Sequence, residues 1–370
     1  MGGADRQRGW ASPVTTSARP TAILEVPESD CRSADMIPSR QSTEVITGEE
    51  ATAAPASRPS TGYAVESIGT LYSRELEETI MTAQPIVVGV DGSQSSLQAV
   101  SWAAREAALR GAPLTLVTTM FVPGTYGVPI GVPASLFEEE ELDGKKRLAR
   151  AEETATAAEA GHTLDIDVAF CTGTPAGELI ERSKSARMVV VGANRAGIIE
   201  RALLGSVSAA VATHAHSPVA VICGLPHTEV NSIEGPVVVG VDGSAHSEPA
   251  ISMAFEEAAL RQTELVAVHA WSDVDLYAPF PSENNRTAIV NRETALLSES
   301  LAGRAEEFPD VKVRSVVVMD QPVRNLRDHA GDAQLLVVGS RGRGGFTSLL
   351  LGSTSRALMH SVTCPLLIVR

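Results

Sequence analysis

The 370-residue sequence contains no GxxxxGK[ST] loop, no HExxH and no CxxC. Nothing in it therefore points to a P-loop motor or kinase, and no spacing of ligands supports a metal site. Cysteine is scarce: Cys31, Cys171, Cys223 and Cys364 are scattered, and the last three fall in or beside apolar runs, where cysteine behaves as a small buried hydrophobe. A reduced cytosol is the natural compartment for such usage. No apolar run approaches membrane-spanning length, and no apolar stretch follows the early arginines, so neither a membrane span nor a secretory signal is expected. Basic charge is in deficit as well. With 30 Lys and Arg against 45 Asp and Glu the formal net charge is −15, which opposes non-specific binding to nucleic acid. No catalytic centre assembles from the remaining residue types. His269 ends an apolar run and reads as packed or hydrogen-bonded, while His214, His216 and His360 read as capping or solvating helix ends.

What the chain does have is an internal repeat. PIVVGVDGSQSS at 85–96 matches PVVVGVDGSAHS at 236–247, and VVVGANRAGIIERALLGSVS at 189–208 matches VVGSRGRGGFTSLLLGSTS at 337–355. The offset is 151 between Asp91 and Asp242 and 147 between Gly205 and Gly352. Two copies on the order of 145 residues are each an ordinary domain, long enough to bury a core. The expected organisation is an extension over 1–80, a first domain over 81–224, a linker over 225–235 and a second domain over 236–370. The extension is rich in Ser, Thr, Ala, Pro and charge without a sustained period, a disordered composition. Its acids are too frequent for an organelle transit peptide. Met81 stands just before the first strand, and the codons of Glu77-Glu78 would be purine-rich, so Met81 is the expected native start.

Each copy reads as an α/β domain. Apolar runs at 86–90, 114–120, 188–191 and 219–222 have the length and β-branching of strands covered on both faces. Helical patterns span 95–110, 135–160 and 175–185. The second copy predicts strands at 236–241, 264–270, 312–318, 335–338 and 365–369, with helices at 246–261, 286–305, 322–330 and 354–360. Strands alternating with helices imply a parallel sheet with right-handed crossovers. The acidic run 138–141 followed by Lys145-Lys146-Arg147 predicts a solvated helix face.

Two motifs carry chemistry. In the second copy Gly339, Gly342 and Gly352-Ser353 lie between a buried strand and a helix start, where main-chain N–H groups and the helix N-terminus make an anion cradle. The Gly352 N–H is expected to face phosphate. The first strand ends at Asp91 or Asp242, each followed by Gly-Ser. If the first and fourth strands are neighbours, that carboxylate faces the cradle and suits a ribose hydroxyl. A brace for an Asp-Gly turn is the plainer alternative. The segment 340–345 superficially looks like an RNA-binding RGG run, but it is flanked by a buried strand and a helix, and one ordered loop is the better reading.

VGVDGS, VVGSRG and the G-x2-G-x9-G-S spacing resemble the universal stress proteins, and the tandem arrangement over 85–370 is similar to that of actinobacterial members such as those of mycobacteria. The resemblance implies two tandem doubly wound domains, each a five-stranded parallel sheet with helices on both faces. It implies ATP as ligand, with Mg2+ as the counter-ion of its phosphates. Carried over, Asp242 meets the nucleoside, Ala270 lines the adenine, and Gly339, Gly342, Gly352, Ser353 and Ser355 hold phosphates. The first-copy equivalents are Asp91, Thr119, Gly192, Gly205, Ser206 and Ser208. Arg195 replaces the second glycine there, and its side chain either crowds the cradle or supplies a guanidinium to phosphate. The second site is therefore ranked ahead of the first.

The resemblance also implies that the last strands of the two copies pair, forming an intramolecular pseudo-dimer, with a homodimer of whole chains through other surfaces. Three functional readings stay open: an ATP-binding regulator acting on a protein partner, a slow ATPase or adenylate-forming enzyme, and a scaffold without ligand.

Overall fold

The computed structural model describes residues 84–120, 134–193, 205–223, 235–271, 283–343 and 350–370. The extension, Met81, the linker stretch 224–234 and Arg195 lie outside the described residues.

The first repeat runs β1 (Ile86–Gly89), α1 (Gln94–Arg110), β2 (Leu114–Met120), α2 (Ala134–Ala158), β3 (Ile166–Thr172), α3 (Pro175–Arg182), β4 (Met188–Gly192), α4 (Ser206–His214) and β5 (Val219–Ile222). The second repeats that order as β6 (Val237–Val241), α5 (Glu248–Leu260), β7 (Leu265–Trp271), α6 (Glu283–Glu307), β8 (Val313–Met319), α7 (Pro322–His329), β9 (Leu335–Gly339), α8 (Ser353–Ser361) and β10 (Leu366–Val369).

All ten strands form one sheet, ordered β3-β2-β1-β4-β5-β10-β9-β6-β7-β8. Within each repeat every pairing is parallel. The two halves meet where β5 and β10 pair antiparallel, with Val221 opposite Leu366, Ala220 opposite Leu367 and Val219 opposite Ile368. The apolar last strands are thus paired with each other inside one chain, which removes two edges that would otherwise stand open.

Helices cover both faces. Trp102, Leu148, Phe255 and Leu297 belong to one buried cluster, contributed by α1, α2, α5 and α6. Leu179, Val211, Leu326 and Leu358 belong to the other, contributed by α3, α4, α7 and α8. The three described cysteines are buried. Burial pushes the Cys171 thiol up to about 11 and, with Cys223 beside it, the Cys364 thiol up to about 12.

Equivalent sequences do not always start equivalent helices. Ser93 caps α1, accepting the Ser96 N–H through its hydroxyl at 3.2 Å. Its counterpart Ser244 instead donates its hydroxyl to Asp242 at 2.7 Å. Without that cap the chain takes a 3-10 turn over Ala245–Ser247 and becomes α-helical only at Glu248, where Pro249 suits the first turn.

Over the seam, α1 lies on β5 and α5 on β10. Between these helices four buried charges close a ring: Arg110 reaches Glu106 and Glu257, and Arg261 reaches Glu257 and Glu106. Burial alone would raise the Glu106 carboxyl, but Arg261 and Arg110 hold it low. Burial and the neighbouring Glu106 push Glu257 the other way.

Candidate functional site

The strand order reverses between β1 and β4, and between β6 and β9, because β1 pairs with both β2 and β4 and β6 with both β7 and β9. In an open α/β sheet the carboxyl ends of such strands border a crevice. In the first repeat that crevice is a cleft of about 210 Å³. Asp91 and Ser95 line it from the β1–α1 turn, Thr118 and Thr119 from β2, Arg147 from α2, and Gly192 and Ser208 from the β4–α4 side.

Asp91 is exposed and accepts the Ser93 N–H at 2.9 Å. Burial would raise its carboxyl, but hydrogen bonds from the Ser93 hydroxyl and amide and from Ser96 outweigh that and hold it low. The carboxylate is therefore an anion that can accept further donors. Gly92 makes the turn behind it at φ 81°, a left-handed conformation that favours glycine. Gly192 is required for a different reason. A Cβ there would lie 2.5 Å from the Ser95 carbonyl oxygen and 2.9 Å from the Ser96 nitrogen, so the strand end and the start of α1 can approach only without a side chain.

The opposite wall is the start of α4, N-capped by Gly205 with no side-chain cap. Its counterpart α8, N-capped by Gly352, likewise has none. The first-turn amides of a helix have no intrahelical acceptors and carry the positive end of its dipole. Ser206 and Ser353 open these helices and are exposed. Ser208 and Ser355, one turn in, donate their hydroxyls to the carbonyls of Gly192 and Gly339 at 2.8 and 2.7 Å. They tie each helix start to the strand end beside it.

The second repeat brings together Asp242, Gly339, Gly342 and Gly352, but in a closed arrangement. Asp242 Oδ1 accepts the Ser244 N–H at 2.9 Å and the Ser244 hydroxyl at 2.7 Å, and its Oδ2 accepts the Arg343 N–H at 2.8 Å. Gly342 passes so close that a Cβ would lie 2.5 Å from Asp242 Oδ2. The Gly352 N–H was expected to face a ligand; it points inward and donates to the Ser340 carbonyl at 2.7 Å. The cause is the tight return of the loop: the Ser340 N–H is bound to Val369 and its carbonyl faces the glycine. Ala270, near the end of β7, pairs with Val318 of β8.

Sequence reasoning did not place Arg147, Thr118 or Glu293 at a site; His269, expected to be packed or hydrogen-bonded, is buried and bonded to the Val241 carbonyl and Glu293. Arg147 sits at the basic end of a charge run expected to be solvated throughout. Lys145 and Lys146 are indeed exposed and pair with Glu141 and Asp143. Arg147 is half-buried, binds Glu140 at 2.8 Å and flanks Gly92 on the cleft. Its burial against that turn distinguishes it from its neighbours, and that contact exists only in three dimensions. Among the described residues no cluster of His, Cys, Asp and Glu could hold a metal ion, and no helix is long and apolar enough to cross a membrane.

The model of the Universal stress protein family matches residues 82–222 and 235–370. The chain is similar to a universal stress protein of Mycobacterium tuberculosis, 41% identical over 287 residues that cover 77% of this chain and 96% of that one. A universal stress protein of Mycolicibacterium smegmatis is 42% identical over 291 residues, covering 78% of this chain and 98% of the relative. Among solved structures, a universal stress protein of Archaeoglobus fulgidus aligns with a TM-score of 0.59 at 19% identity, over 77% of this chain and 98% of that one, a likeness of fold.

Proposed function

The chain belongs to the universal stress protein family, and from that premise we propose that it is an ATP-binding regulatory protein whose nucleotide occupancy tunes its conformation and its choice of protein partner. The observation that carries this reading is the first-repeat cleft, in which the Asp91 carboxylate and the uncapped start of α4 lie at the same strand switch point. Ribose hydroxyls are donors and suit an acceptor-only carboxylate. Phosphates suit orphan amides at a helix N-terminus.

At about 210 Å³ the cleft is smaller than the roughly 300–1,000 Å³ usual for small-molecule sites. It fits the nucleoside, with Thr119 and Val117 toward the base, while the phosphates extend toward Gly205, Ser206 and Ser208. Mg2+ would accompany the phosphates as a counter-ion. Sequence alone ranks the second repeat first; there both oxygens of Asp242 already accept hydrogen bonds, so a nucleoside would have to displace the Arg343 N–H.

The test is calorimetry with ATP together with identification of any nucleotide released on denaturing the purified protein. Asp91→Ala should weaken ATP binding at the first site by about ten- to a hundredfold, since a hydrogen bond to a charged group is worth about 1.5–3 kcal/mol. Unchanged affinity in the folded variant, with no nucleotide carried through purification, would remove the proposal.

A further inference from the structure

The two repeats differ at the floor of their sites in a way that the motif comparison hides. Thr118 in β2 and His269 in β7 hold equivalent positions, and each donates to the carbonyl that ends the first strand of its repeat, Val90 and Val241, at 2.8 Å. The threonine stops there. His269, 1% exposed, extends its other nitrogen to Glu293 Oε2 at 2.8 Å. Nδ1 carries the hydrogen given to the carbonyl, which leaves Nε2 facing the carboxylate. Glu293 lies ten residues after the start of α6; ten residues after the start of α2 stands Gly144, packed against Phe170. The first repeat has no carboxylate at that place.

Glu293 also faces an arginine. The Arg343 guanidinium lies 3.9 Å from Glu293 Oε2, and its Nη2 would stand 2.8 Å from a Cβ on Gly243. The same residue's N–H is the donor that occupies Asp242 Oδ2. Arg343 therefore covers the Asp-Gly turn with its side chain and the carboxylate with its backbone.

We infer that His269, Glu293 and Arg343 form a latch that holds the turn 340–343 over Asp242, so that the second site is closed by the chain itself. His269 and Glu293 are positioning residues: a buried histidine fixes the carboxylate, the carboxylate fixes the arginine, and the arginine occupies the groups a nucleoside would use. A ligand of the second site must displace the Arg343 N–H from Asp242. This consequence for ligand binding rests on the nucleotide reading above; the latch itself does not.

The test is limited trypsin digestion of the full chain, following cleavage of the Arg341–Gly342 bond by mass spectrometry. Glu293→Ala should speed that cleavage by about two- to fivefold, the loss expected when a partly exposed ion pair is removed. His269→Thr with Glu293→Ala, which installs the threonine of the first repeat and leaves no unpaired imidazole, should do the same and guards against a folding defect in the single variant. Calorimetry with ATP in an Asp91→Ala background then reads the second site alone, where the double variant should bind about two- to fivefold more tightly than its parent.

Unchanged cleavage in both variants overturns the latch. Faster cleavage with unchanged ATP affinity at a functioning second site overturns its role as a gate. If no form of the protein binds ATP, the nucleotide reading falls, and the cleavage rates still decide whether the latch exists.

Discussion

Asp91 and Asp242 end equivalent strands in nearly identical sequence; Asp91 is exposed, Asp242 is half-buried with both oxygens taken, and the first-repeat counterpart of the Arg343 turn lies outside the described residues. The importance of both was legible, because VGVDGS recurs and an aspartate at a strand end beside Gly-Ser has few structural duties beyond bracing a turn. What differed was not legible. It depends on residues 27 to 101 positions further along the chain, His269, Glu293 and Arg343, whose convergence no local pattern announces. The state of Asp91 can be measured directly. Its folded pKa is lowered, with burial opposed and outweighed by the Ser93 and Ser96 hydrogen bonds. A lowered carboxylate contributes stability above the unfolded pKa, and that contribution is lost as pH falls through the folded value; at an exposed site it is small. The carboxyl resonance of Asp91 in an NMR titration should therefore move below the ordinary aspartate range, and Ser93→Ala should shift it upward. A midpoint unaffected by Ser93→Ala would mean that Ser93 does not hold the charge.

At the scale of elements, the continuous apolar strands were read nearly to the residue, since a strand buried on both faces leaves an unbroken Val, Ile and Leu run. The first repeat's β3 was not among the runs singled out. IDVAFCT is half-exposed at the sheet edge, so its polar residues break the signal. The helix starts at 246–248 shifted because Ser244 serves Asp242 rather than the helix. The charge ring between α1 and α5 was hidden for another reason. Glu106 with Arg110 and Glu257 with Arg261 each have the i, i+4 spacing of an ordinary solvated pair, and only the seam buries them together. Their burial makes removal of one partner costly. Glu257→Ala leaves Arg110 and Arg261 short of an acceptor inside the protein and should cost about 3–5 kcal/mol, visible as a lower denaturation midpoint at unchanged slope. Replacing all four residues by apolar side chains of matching volume should recover most of that loss. A Glu257→Ala protein as stable as its parent would mean that water reaches the ring.

For the whole molecule, the pairing of the two last strands, implied by the family resemblance, is the pairing the fold makes. Two apolar last strands, each at the edge of its own sheet, have the same need for a partner and can satisfy it in each other. The β5–β10 pairing joins them antiparallel, which brings α1 and α5 together with Glu106 and Arg110 of one repeat facing Arg261 and Glu257 of the other. The ring has the symmetry of the repeat: each helix contributes one acid and one base, four residues apart. A repeat could therefore satisfy the same contacts with a second copy of itself, so the seam specifies pairing of this fold more than it specifies which half is on the other side. The chain connection decides the matter by making the unlike pair intramolecular, so that each half meets the other at a high effective concentration. Severing the chain near residue 229 should then leave two halves that co-elute as a pair when expressed together and form homodimers when expressed apart, as read by light scattering. The Glu257→Ala change should weaken both the mixed pair and the second-half homodimer, while sparing the first-half homodimer, which has only Glu106 and Arg110 in its ring. Stable monomers of either half, or equal weakening of all three pairs, would show that the seam is held by something other than its paired strands and shared charges.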